Sequence, residues 1–98
     1  MIKIGKLQYG FKGKDAIILG CEKDIKEITI PTTIKCKGEE FKVVCIAGSA
    51  FKDCYTLNSI IISNNITTIG WSAFKNCYKL ASIIILKLAM KPLMIVKI

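Results

Sequence analysis

"AFKDCYTLNSIIIS", residues 50–63, decides the fold, because it returns as "AFKNCYKLASIIIL" at residues 73–86. Ala50 maps to Ala73, Phe51 to Phe74, Cys54 to Cys77, Tyr55 to Tyr78 and Leu57 to Leu80, always 23 residues on. Ser59, Ile60 and Ile62 map to Ser82, Ile83 and Ile85; upstream, Ile46 and Ser49 map to Ile69 and Ser72. A fixed period of this length marks a stack of small units, each of which buries its faces only against its neighbours.

Within each copy, Leu-x-x-Ile-x-Ile predicts a short parallel strand. Leu57, Ile60 and Ile62 point inward, and Ser59 and Ile61 point outward, by the two-residue alternation of a strand. "ITTIG", residues 66–70, forms the opposite wall, with Gly70 permitting a tight bend. "WSAFKNC", residues 71–77, predicts a helical turn with Ser72 as its N-cap. Phe74 and Cys77 lie three apart and so share the face of that turn that looks into the stack.

Upstream, Ile25, Ile28 and Ile30 repeat the spacing of Leu57, Ile60 and Ile62 at an offset of 32, so this first repeat carries nine additional residues. They fall in "TIKCKGEEFKVV", residues 33–44, which reads as a protruding hairpin about Gly38. Pro31 ends the strand before it, having no N–H for a ladder. Earlier still, "KLQYGF" and "AIIL" flank a "KGKD" turn in which Gly13 allows a positive φ. That hairpin covers the first edge of the stack, as a terminal cap must. The chain is thus expected to be one small domain: a cap over 1–24, an expanded first repeat over 25–49, regular repeats over 50–85 and an atypical tail over 86–98.

These residues resemble the BspA-type, or Treponema-type, leucine-rich repeat. That repeat is built around Ile-Gly-x-x-Ala-Phe-x-x-Cys-x-x-Leu-x-Ser-Ile-x-Ile-Pro. Ile69-Gly70, Ala50-Phe51, Ala73-Phe74, Cys54 and Cys77 stand in its places, and "EITIP", residues 27–31, looks like its strand with the proline present. The resemblance covers residues 25–85, and the opening "YGFKGKDAIILGC" is similar to the caps that precede such repeats. It implies a solenoid: a right-handed superhelix of short parallel strands with short helical turns. It also implies protein binding or adhesion, often at a cell surface, and no catalysis. Two departures stand out. Ser63 occupies a position where the family has proline, and after Ile85 the chain runs "LKLAMKPLMIVKI" without another Ile-Gly or Ala-Phe. The tail therefore reads either as a piece of a longer array or as a degenerate cap folded back on the last strand.

The bulk composition agrees with a packed domain. Of 98 residues, 52% are hydrophobic, which argues against disorder. The net charge is +8, and every cation is a lysine. Without arginine's planar fork, specific nucleic-acid recognition is disfavoured. The acids all lie between Asp15 and Asp53, so the C-terminal half is cationic and suits weak, salt-sensitive binding to anionic polymers. The apolar runs near the N-terminus are cut by Lys12, Lys14 and Asp15, so no secretory signal is read there. "ILGC", residues 18–21, lacks the apolar segment that a lipoprotein box needs ahead of it. The compartment is thus expected to be intracellular, or that of a longer parent, for which the resemblance implies the cell surface. Lys87, Lys91 and Pro92 interrupt the apolar stretch 82–98, so no membrane-spanning helix is expected.

Chemistry finds little purchase. The chain has no histidine, which excludes histidine-based triads and metal sites. Asp53 beside Cys54 opposes a thiolate, and the second copy has Asn76 there, so Cys54 reads as a core residue. The five cysteines contain no Cys-x-x-Cys pair, so no metal is expected. Cys36 and Cys45 face each other across the expected hairpin as a candidate disulfide, although the odd total favours free thiols. Asn65-Ile66-Thr67 is a glycosylation sequon that reads as a surface turn. No phosphate loop or recurring carboxylate pair appears, and Glu39 and Glu40 read as solubilising residues at a hairpin tip. No enzyme activity and no cofactor are expected. Function is expected on the outward side of the parallel sheet, at Glu27, Thr29, Ser59, Ile61, Ser82 and Ile84, with a protein as partner. Self-association through the open edge of the last strand is the second expectation.

Overall fold

The computed structural model describes residues 1–86, and among them it holds nine strands and no helix. They are β1 (Ile2–Ile4), β2 (Leu7–Lys12), β3 (Asp15–Cys21), β4 (Glu27–Thr29), β5 (Thr33–Cys36), β6 (Glu39–Ile46), β7 (Ser59–Ile62), β8 (Thr68–Ile69) and β9 (Ser82–Ile85). The part of the tail beyond Leu86, with Lys87, Lys91 and Pro92 of the apolar stretch, lies outside the described residues.

One wall is the parallel sheet β4-β7-β9. Its ladder sets Glu27 beside Ser59 beside Ser82, and Thr29 beside Ile61 beside Ile84. Both sequence offsets, 32 and 23, are therefore realised as strand register. Leu57, Ile60 and Ile62 are fully buried, as the alternation requires.

The opposite wall is a larger sheet in the order β1-β2-β3-β6-β5, with β8 also on β6. β2 and β3 form the expected antiparallel hairpin around Gly13, whose φ is 62°. β1 adds a strand to its outer edge. The nine-residue insertion does more than protrude. One edge of β6 runs parallel to β3 of the cap. Its other edge is shared between β5, antiparallel from Thr33–Lys42 to Cys36–Glu39, and β8, parallel at Cys45–Thr68 and Ile46–Ile69. The second strand of the inserted hairpin is thus the wall itself, and it joins cap to repeat.

The corners differ from expectation. No helical turn forms at 71–77. Each copy instead runs through a chain of four-residue turns. In the first, the N–H groups of Ala50, Lys52, Cys54 and Leu57 donate to the carbonyls of Ala47, Ser49, Phe51 and Cys54. In the second, Ala73, Lys75, Cys77 and Leu80 donate to Gly70, Ser72, Phe74 and Cys77. Left-handed residues recur four apart, Ser49 (φ 62°) and Asp53 (63°), then Ser72 (58°) and Asn76 (63°), and such residues interrupt an α-helix. Ser72 is therefore no N-cap, a role that needs extended backbone. Asp53 and Asn76 differ between copies without conflict because both residue types tolerate this conformation.

These turns stack as strands do. Ser49, Phe51 and Asp53 donate their N–H groups to the carbonyls of Trp71, Ala73 and Lys75, at 3.1, 2.8 and 2.8 Å. Inside, the buried rings of Phe51 and Phe74 lie parallel with centroids 5.3 Å apart. Each such buried ring stabilises the fold by about 2–3 kcal/mol. Ser63, where the family pattern has proline, is buried and turns its hydroxyl toward the carbonyl of Pro31 at 3.5 Å.

Gly70 is needed for close approach rather than for a positive φ. A Cβ built there would lie 2.4 Å from the backbone nitrogen of Gly48 in the preceding turn. Gly70→Ala must push the two turns apart and is expected to cost about 1–3 kcal/mol. Urea unfolding of the purified variant checks this. An unchanged midpoint would mean that the turns do not pack at this distance.

Candidate functional site

The outward positions of β4, β7 and β9 form two rungs. Glu27, Ser59 and Ser82 make the first, and Thr29, Ile61 and Ile84 the second. All six expected residues are therefore brought together on one surface. Glu27 and Thr29 are exposed, Ser59, Ile61 and Ser82 are half-buried, and Ile84 is 48% exposed. Glu27, Ile28, Thr29, Ser59 and Ile61 line an open depression on this face. Neither salt bridge among the described residues, Lys3–Glu22 or Lys14–Glu39, engages Glu27. The face thus combines one carboxylate, three hydroxyls and two isoleucine side chains, with no lysine among its six residues.

A second exposed feature sits at the corners and was not singled out as a site in the sequence. Tyr55 and Tyr78 stack with centroids 5.9 Å apart, at 53% and 77% exposure. Beside them Asn76 Nδ2 donates to Asp53 Oδ1 at 2.7 Å, and the Tyr78 hydroxyl donates to Asn76 Oδ1 at 2.9 Å. The charge of Asp53 holds the Tyr55 phenol above its ordinary range. The signal in the sequence is a tyrosine that recurs at the 23-residue offset. Trp71, at 93% exposure, has no such partner copy, because Gly48 stands at the equivalent position.

The cysteines are distributed otherwise than the hairpin reading proposed. Cys36 pairs with Glu39 across β5 and β6, whereas Cys45 lies beyond that hairpin, opposite Ile17 and Thr68. They do not face each other, and all five thiols are free. Burial pushes the Cys45 and Cys77 thiols up. Cys54 is a core residue with no exposure, and its Sγ lies 2.9 Å from Sγ of buried Cys21. That hydrogen bond holds Cys54 below the ordinary thiol range and Cys21 above it. Among the described residues no group of three or more acids and cysteines could hold a metal ion, and no helix is long and apolar enough to cross a membrane.

The family model described as "BspA type Leucine rich repeat region (6 copies)" matches residues 21–91. The chain belongs to the BspA-type leucine-rich repeat family. No curated protein matches it. Its fold is similar to that of a leucine-rich repeat protein from Bacteroides ovatus ATCC 8483, with a TM-score of 0.79 and 28% identity over 84% of this chain and 22% of that one. It is also similar to a leucine rich cell surface protein from Faecalibacterium prausnitzii A2-165, with a TM-score of 0.78 and 28% identity over 86% and 23% of the two chains. A T. pallidum leucine-rich repeat protein matches with a TM-score of 0.68 and 31% identity over 80% and 36%. The chain thus spans between 22% and 36% of the length of these relatives. In the middle strand of this BspA-type repeat, β7, inward Ile60 and Ile62 are fully buried, whereas outward Ser59 and Ile61 are half-buried.

That difference is measurable. Ile84→Thr, on the outward face, is expected to change stability by less than about 0.5 kcal/mol. Ile60→Ala, one rung inward, is expected to cost about 2–5 kcal/mol. Thermal unfolding of both variants checks the assignment. Equal losses would mean that the outward face is covered.

Proposed function

We propose that this chain is a non-enzymatic, adhesion-type module that binds a protein partner on the outward face of β4-β7-β9. The observation that carries the reading is the two-rung register, which aligns Ile61 and Ile84 into an apolar stripe beside the hydroxyls of Thr29, Ser59 and Ser82. Exposed apolar surface rimmed by polar groups suits a protein partner. Family membership and the cell-surface description of the F. prausnitzii relative support the same reading. The face holds Glu27 and no lysine, so binding there is a matter of shape and apolar contact rather than of the chain's net positive charge.

The test places a photo-reactive residue at Ser59, with a control at exposed Thr67 near the opposite wall. Cross-links to a partner are expected from position 59 only. The pair Ile61→Lys and Ile84→Lys is expected to abolish saturable binding without lowering the unfolding midpoint below that of the cross-linkable chain. Binding should also weaken little between 50 and about 200 mM salt, unlike the steep fall of a polyanion complex. Binding that survives both lysine substitutions, or falls steeply with salt, would overturn this reading and favour the lysines.

A second reading is favoured by the last strand. Ile60 and Ile62 of β7 are fully buried, whereas their copies Ile83 and Ile85 in β9 are only partly so. Among the described residues β9 is hydrogen-bonded on one edge alone, to β7. An edge of this kind recruits a further strand, and self-association through β9 is the occupant this reading names. Light scattering across a concentration series is expected to show a dimer or larger species if it is right. A monomer throughout removes it.

A further inference from the structure

The contact between Cys21 and Cys54 belongs neither to the binding face nor to the repeat register. Cys21 closes β3 in the cap, and Cys54 sits in the first regular corner, 33 residues on. Their sulfurs touch at 2.9 Å inside the core, where Cys21 is 6% exposed and Cys54 not at all. Two further bonds hold the same segments together: Lys23 Nζ donates to the carbonyl of Lys52, and Thr56 Oγ1 donates to the carbonyl of Ile25 at 2.7 Å. The other thiols are placed elsewhere. Cys77 donates to the carbonyl of Phe51 at 3.0 Å, and Cys36 and Cys45 pair with residues other than cysteine.

We propose that Cys21 and Cys54 form a disulfide that staples the cap to the first regular repeat when the chain folds with a disulfide oxidant such as glutathione disulfide. The chemistry is two thiol–disulfide exchanges. The Cys54 thiolate attacks one sulfur of glutathione disulfide before the cap closes over it and expels a glutathione thiolate. As the cap docks, the deprotonated Cys21 sulfur attacks the Cys54 sulfur of that mixed disulfide and expels the second glutathione. The two cysteines lose two protons and two electrons, and one glutathione disulfide becomes two glutathione thiols.

The sequence makes the test direct, because lysines separate all five cysteines into different peptides: 15–23, 36–37, 43–52, 53–75 and 76–79. The reduced, unfolded chain is refolded in a glutathione redox buffer, alkylated, digested after lysine and analysed by mass spectrometry. A linked species of 15–23 and 53–75, short of two hydrogen atoms, is expected to dominate. The thermal midpoint should rise by roughly 10–20 °C over the reduced chain. The double variant Cys36→Ser, Cys45→Ser should keep both the link and the rise. Cys21→Ser should lose both, and where that variant fails to fold the peptide map of the unaltered chain decides alone. Links that join 43–52 or 76–79 instead, or free or glutathionylated Cys21 and Cys54 in the refolded chain, would overturn the proposal.

Discussion

Everything in this molecule depends on one constraint: the residue stacked on any position must be its counterpart one turn further along. The ladder that sets Ile28 on Ile60 and Ile60 on Ile83 expresses it for the sheet. A slip of one residue would turn the isoleucines outward and Ser59 and Ile61 into the core. The same constraint reaches the corners, where Phe51 meets Phe74 and Asp53 meets Asn76. A stack therefore favours residues that pack well against themselves. Flat rings do so by lying parallel, and an acid does so only once its copy becomes an amide, since two carboxylates at hydrogen-bond distance would repel.

The expanded first repeat shows how an insertion is absorbed without breaking that register. Its additional residues leave the β4 ladder untouched, because Glu27 still meets Ser59. They enter the opposite wall, where β6 is long enough to serve several partners. Its parallel edge against β3 lets an antiparallel hairpin cap a parallel stack. The change of strand direction is thus made at the cap, and the repeats that follow meet an edge of the orientation they need.

The strands, the core and the outward face were legible because their period of two is unambiguous once the 23-residue repeat is seen. Ile61 and Ile84 could be assigned outward from alternation alone. The corners were not legible for a physical reason. A spacing of three between Phe74 and Cys77 is common to a helical turn and to a chain of four-residue turns, and only the left-handed backbone at Ser72 and Asn76 separates them. Aspartate and asparagine hint at such a conformation, but serine does not. The contact of Cys21 with Cys54 was hidden because the cap lies outside the repeat register, so no offset predicts what it touches. The Cys36–Cys45 pairing failed through register too. The hairpin turns at Lys37–Gly38, both with positive φ, and this pairs Thr33 with Lys42 and leaves Cys45 past its end.

The separation of inward from outward residues also bears on where recognition can evolve in such a fold. An inward substitution must suit the copies above and below it, so a change at Ile60 disturbs its contacts with both Ile28 and Ile83. An outward residue meets its neighbours only along the rung, and one side of it is free. Ser59 and Ser82 alternate with Ile61 and Ile84 at no cost to the core they back onto. The outward surface can therefore change its chemistry one residue at a time, whereas the interior changes only in whole columns. That asymmetry is the physical reason the proposed binding is placed on the rungs, whereas stability is set in the columns.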